Sequence, residues 1–82
     1  MTWALEWAAI ALRDFYALPH WTTAARVDEA LQRLATTMQG ELRRMVIDGQ
    51  TETALLVPPY SVLLTRDKRR RTIVAWRIVR YA

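Results

Sequence analysis

Apolar and polar residues alternate at the start of the chain, with Trp3, Leu5 and Trp7 on one side and Ala4 and Glu6 on the other. Alternation of period two over residues 2–6 predicts a short strand. From Ala8 the period changes. Ala8, Ala11, Leu12, Phe15 and Leu18 recur at helical steps and predict a helix over residues 8–17 with those side chains on its packed face. Pro19 disfavours helical geometry at Leu18 and ends it. His20-Trp21-Thr22-Thr23 reads as a connector, and Thr22 or Thr23 as the N-cap of a second helix over residues 23–38. Val27, Ala30, Leu31, Leu34 and Met38 form its apolar seam, and Gly40 is its expected stop. Two helices joined this closely predict an antiparallel helical hairpin.

Strand patterning then returns. Residues 41–47 carry Leu42, Met45 and Ile47, Asp48-Gly49 is a turn signal, and residues 51–57 form the next strand. Neither Pro58 nor Pro59 can donate to a ladder, so the backbone is expected to bend there. Two runs rich in β-branched and aromatic residues, 60–64 and 72–79, flank a charged segment at 66–71 and predict a hairpin. The order is β-α-α-β-β-β, becoming β-α-α-β-β-β-β where Pro58-Pro59 splits one long strand in two. Residues 1–82 then make one α+β domain, with the helices on one face of a mostly antiparallel sheet.

Charge sharpens this picture. Residues 66–71 hold five basic side chains and one acid, a net of +4 that equals the net charge of the whole chain. With a pI near 10.3, the expected partner is polyanionic: nucleic acid or an acidic protein. The chain has no cysteine and one histidine, which excludes disulfides and thiolate metal sites. No metal or other cofactor is expected. Only two glycines are present, Gly40 and Gly49, so there is no glycine-rich phosphate loop. The first residues lack the basic start and apolar core of a secretory signal, and the uncharged stretch 7–12 is far too short to span a bilayer. The expectation is a cytoplasmic protein with no membrane partner. A hydrophobic fraction of 52% leaves apolar surface that self-association or a partner protein can cover.

Several of these stretches resemble the RelE/ParE toxin superfamily. The run from Trp7 through Ala8, Ala11, Asp14 and Phe15 is similar to the family's opening strand and first helix. Ala25-Arg26-Val27, Ala30-Leu31 and Leu34-Ala35 are similar to its second helix. Leu56-Val57-Pro58-Pro59-Tyr60-Ser61-Val62 resembles the family's hairpin strand, and Ile73 to Arg80 its last strand. The likeness runs in order along almost the whole chain. It implies the toxin of a type II toxin–antitoxin system, which cleaves mRNA on the ribosome or inhibits DNA gyrase. A cognate antitoxin neutralises such a toxin, in a homo- or hetero-oligomeric assembly. RNA-cleaving members usually carry Arg after the hairpin Tyr, where this chain has Ser61, and Arg near the position of Thr53.

Cleavage of RNA without metal needs a deprotonated 2′-hydroxyl, neutralisation of the phosphate as it gains charge, and a protonated leaving oxygen. The resemblance assigns these tasks to Arg77, Arg80 and Tyr81. Strand alternation puts Arg77 and Tyr81 on one face, opposite Trp76, Ile78 and Arg80. The expected nucleic-acid contacts are Arg66, Lys68, Arg69, Arg70 and Arg71 at the hairpin, with Arg43 and Arg44 on the strand after Gly40. Trp3, Trp7 and Trp76 are expected in the core. The competing function for the same fold is a non-catalytic basic module that binds nucleic acid or an acidic protein.

Overall fold

The computed structural model describes residues 2–81. Seven elements follow one another: β1 (Ala4–Trp7), α1 (Ala9–Tyr16), α2 (Trp21–Thr37), β2 (Leu42–Ile47), β3 (Gln50–Val57), β4 (Tyr60–Asp67) and β5 (Thr72–Arg80). The strands form one sheet in the order β1-β5-β4-β3-β2. Three pairings are antiparallel hairpins, and β1 lies parallel to β5, with Leu5 opposite Ile73 and Trp7 opposite Ala75. Strand patterning does not carry that parallel pairing. It arises because the two helices carry the chain from β1 at one edge to β2 at the opposite edge, and the run β2 to β5 then returns across the sheet to seat β5 beside β1.

The helices cover one face of the sheet. Val27, Leu31, Leu34 and Ala35 of α2 pack on Leu55, Val57, Val62, Leu64, Ile73, Ala75 and Ile78. Phe15, Leu18, Trp3, Leu5 and Trp7 close the margins, and the rings of Trp7 and Phe15 meet edge to face at 5.1 Å. α1 packs chiefly on β5, with Ala11 fully buried at the approach.

The element boundaries differ from the sequence expectation in physically interpretable ways. α2 begins at Trp21, two residues early, with His20 as an N-cap that makes no side-chain hydrogen bond. Thr22 and Thr23 therefore lie in its first turn. The helix ends at Met38, which adopts the left-handed conformation (φ 59°) and donates its N–H to the Leu34 carbonyl. Gly40 is not the stop. A methyl group there would lie 2.8 Å from Leu55 Cδ1, so any side chain at this position has to push a buried leucine methyl aside. Gly40→Ala is expected to cost about 1–2 kcal/mol by overpacking, read as a lower urea midpoint at unchanged m-value.

Pro58 and Pro59 form the two-residue turn between β3 and β4, joined by a cis peptide bond, and Val57 pairs with Tyr60 across it. One strand is thus split in two at the prolines. β4 runs to Asp67, longer than expected, and the turn shrinks to residues 68–71. Asp67 Oδ1 accepts the N–H groups of Arg69 and Arg70, and Arg71 is left-handed (φ 50°). An aspartate that satisfies two backbone donors holds this cationic turn closed.

Candidate active site

The face of the sheet away from the helices carries small residues in its middle strands. Ala54 and Ser61 are fully buried there beside Leu63. The ladder between β3 and β4 stops at Thr53 and Leu64. Beyond that point β2 and β3 continue as a free hairpin, closed by Asp48 and Gly49, both with positive φ. Ile47, Asp48, Gln50 and Glu52 of this hairpin face Leu63, Trp76, Arg77 and Val79 across a pocket of about 270 Å³.

A β-bulge decides what β5 contributes. Leu63 pairs with Arg77 but Leu64 pairs with Ala75, so Trp76 is the extra residue. Two consecutive side chains, Trp76 and Arg77, therefore line the same pocket, and Ile78 returns to the helix-side core. Strict alternation groups Trp76 with Ile78 in the core, opposite Arg77. The bulge overturns that grouping, as bulges commonly re-aim side chains near functional sites. The indole Nε1 of Trp76 is buried without a hydrogen-bond partner among the described residues.

Arg77 is held from outside the sheet. β1 ends at Trp7, opposite Ala75, and leaves the edge of β5 open beyond that point. Asp14 of α1 reaches this edge. Its Oδ2 accepts Arg77 Nε at 3.1 Å and the Ile78 backbone N–H at 2.9 Å.

The other cations do not converge on the pocket. Arg80 pairs with Tyr60, which packs against the helix-side core, so alternation puts Arg80 on the helix face, opposite Arg77. Tyr81 follows Arg77 and Val79 on the open face, but four residues along a strand separate Tyr81 from Arg77 by about 13 Å. Arg77, Arg80 and Tyr81 are thus not brought together around one phosphate. Arg66 and Arg44 also lie on the helix side by alternation. Arg43 is on the open face and is paired with Glu41 at 3.0 Å. At the β4–β5 turn Lys68 and Arg69 are exposed, and Arg70 contacts Glu6 at 3.3 Å. From Arg71 to Arg77 is about 20 Å along β5, so the turn is a separate cationic surface and not a wall of the pocket.

Glu52, Asp48, Gln50 and Asp14 are the site residues that sequence reasoning missed. Nothing in strand periodicity marks Glu52, because the curl of a hairpin over a neighbouring strand is a long-range feature. Asp14 did carry a signal: a carboxylate three residues after Ala11, on the packed side of a helix, needs partners that the helix cannot supply. Among the described residues no group of three or more His, Asp and Glu side chains is placed to hold a metal ion, and no helix is long and apolar enough to cross a membrane.

Solved structures share this architecture. A chain of the RelBE2 toxin–antitoxin complex from Mycobacterium tuberculosis superposes with a TM-score of 0.77, at 21% identity, over 100% of this chain and 94% of that one. This is the RelE toxin fold. A chain of the archaeal RelE–RelB complex from Pyrococcus horikoshii OT3 also gives 0.77, at 13% identity, over 98% of this chain and 96% of that one. No family model and no curated protein sequence matches the chain. The RelE fold is therefore carried here by a sequence in which few individual side chains coincide with those of its structural neighbours, and the pocket has to be read from its own residues.

Proposed function

We propose that the protein is the toxin of a toxin–antitoxin pair and that it cleaves RNA, without metal, in the pocket on the open sheet face. The observation that carries this reading is the bulge at Trp76. It sets Trp76 and Arg77 side by side along one wall of a cleft that Glu52 lines from the facing hairpin. Each part matches one demand of the chemistry. Glu52 takes the proton of the attacking 2′-hydroxyl. Arg77 meets the charge that builds on the phosphate oxygens. The face of Trp76 supports a base beside the scissile bond. The 2′-oxygen bonds to phosphorus, the bond to the 5′-oxygen breaks, and that oxygen leaves with a proton from water. The products are a 2′,3′-cyclic phosphate and a 5′-hydroxyl.

The cationic turn at residues 68–71 adds phosphate contacts away from the cleavage point and makes binding salt-sensitive. An antitoxin is the partner in both structural neighbours, each a toxin–antitoxin complex, and we extend that partnership to this chain. The large apolar side chains Ile10, Leu12, Tyr16 and Trp21 are exposed, Trp21 by 81%, and their burial would contribute to such a complex.

The test is to add the purified protein to translating ribosomes and map the RNA ends. The reading expects new 2′,3′-cyclic phosphate and 5′-hydroxyl ends, and growth arrest on expression that the neighbouring reading frame relieves. Growth arrest with intact mRNA and stalled gyrase would overturn the nuclease reading. Normal growth with intact mRNA would leave only salt-dependent binding by a basic module.

A further inference from the structure

We infer that Asp14 is the positioning residue of the site: from the far edge of β5 it sets the plane of the Arg77 guanidinium, and it lowers the affinity of the pocket for phosphate while doing so. The catalytic part of this inference rests on the nuclease reading above. The clamp itself does not.

The argument begins with the helix. Ala11, Phe15 and Leu18 face the core, and Asp14 lies among them. Only 24% of its side chain is exposed. A carboxylate on a packed helix face is costly unless its oxygens are satisfied. The sequence provides for this by ending β1 early. Because β1 stops at Trp7, the Ile78 N–H has no strand to donate to, and Asp14 Oδ2 accepts it at 2.9 Å. The same oxygen accepts Arg77 Nε at 3.1 Å. A single atom thus ties helix, sheet edge and guanidinium together.

The consequences for Arg77 follow from its donor geometry. The guanidinium is planar, with five N–H donors in a fixed fork. Binding at Nε fixes the plane and leaves the four Nη hydrogens for a ligand. The side chain of Arg77 keeps 43% of its surface exposed and lines the pocket. A long side chain otherwise loses considerable rotamer freedom when it engages a phosphate. Here the Asp14 contact supplies part of that ordering before RNA arrives, which favours the transition state. The carboxylate also offsets the positive charge of Arg77 and weakens ground-state attraction for the phosphate. Positioning and attraction therefore respond in opposite directions when Asp14 is changed.

This gives a signature that a purely structural residue would not produce. Asp14→Ala removes the one oxygen that holds both Arg77 Nε and the Ile78 N–H, together with its charge, whereas Asp14→Asn keeps an oxygen for both donors and removes only the charge. In cleavage assays Asp14→Ala is expected to lower kcat about 10- to 100-fold while KM falls or stays level, and Asp14→Asn to lower KM with little change in kcat, both with a steeper salt dependence of binding. In 15N-arginine NMR of the free protein, the Arg77 Nε–Hε hydrogen is expected to exchange with solvent at least about tenfold faster in Asp14→Ala than in the parent. Arg77→Ala serves as the control for the nuclease reading. Unchanged cleavage in Arg77→Ala overturns that reading and leaves the clamp to be decided by the NMR arm. Unchanged Hε exchange in Asp14→Ala, which has no oxygen to hold Nε, overturns the clamp. A parallel rise in KM and fall in kcat, tracking a lower unfolding midpoint, overturns the positioning role by making Asp14 structural only.

Discussion

Replacing Glu52 by Gln is expected to reduce RNA cleavage by about 10²–10⁴-fold in kcat, the usual contribution of a positioned general base. The change preserves shape and hydrogen-bonding length and removes only the capacity to take a proton. Glu52 is on a strand whose backbone pairs with Met45, and its half-buried side chain faces the pocket and not the core. The unfolding free energy should therefore change by less than about 0.5 kcal/mol. Single-turnover cleavage of an mRNA on translating ribosomes measures the first effect, and equilibrium unfolding the second. Arg80→Ala and Tyr81→Phe make the contrast. One lies on the opposite sheet face and the other about 13 Å along the strand, so each is expected to change kcat by no more than about threefold. Full activity in Glu52→Gln, together with loss in Tyr81→Phe, would move the site to the other end of β5.

Leu31→Ala is expected to be the most damaging single change to the fold. Leu31 is completely buried at the centre of the α2 seam, against the apolar side chains of β3, β4 and β5. Truncating a leucine in such a site costs about 2–5 kcal/mol, the higher values where the surroundings do not collapse. A chain of 82 residues has a total stability of roughly 4–12 kcal/mol at 0.05–0.15 kcal/mol per residue. The substitution thus removes a large share of it. Calorimetry should show Tm lower by about 8–40 °C, at 4–8 °C per kcal/mol for a domain of this size. Ala30 is on the same helix at the margin of the core, and Ala30→Gly should cost only about 1 kcal/mol through helix propensity.

The sequence and the structure agree best where a decision was local. The two helices, the Asp48-Gly49 turn and the split at Pro58-Pro59 follow from side-chain period, positive-φ preference and the missing proline donor. Arg77 was legible as a cation on the open face, although the alternation argument that placed it there had the wrong basis. Alternation assumes an unbroken ladder, and the extra residue at Trp76 reverses parity for everything after it. Trp76 itself was read as core for the same reason. The basic residues at 66–71 were legible as a charged turn, yet not as separate from the pocket. That separation depends on the bulge being midway along β5, well away from the turn.

What the amino-acid order alone determines about this protein is its elements and where its charge lies, because both rest on neighbours within a few positions. The tertiary structure decides which side chains share a cleft. The parallel seating of β1 on β5 leaves half an edge open for Asp14, and the early end of the β3–β4 ladder lets Glu52 fold over toward Arg77. Those outcomes depend on contacts between residues 25 to 68 positions apart, which no local period encodes.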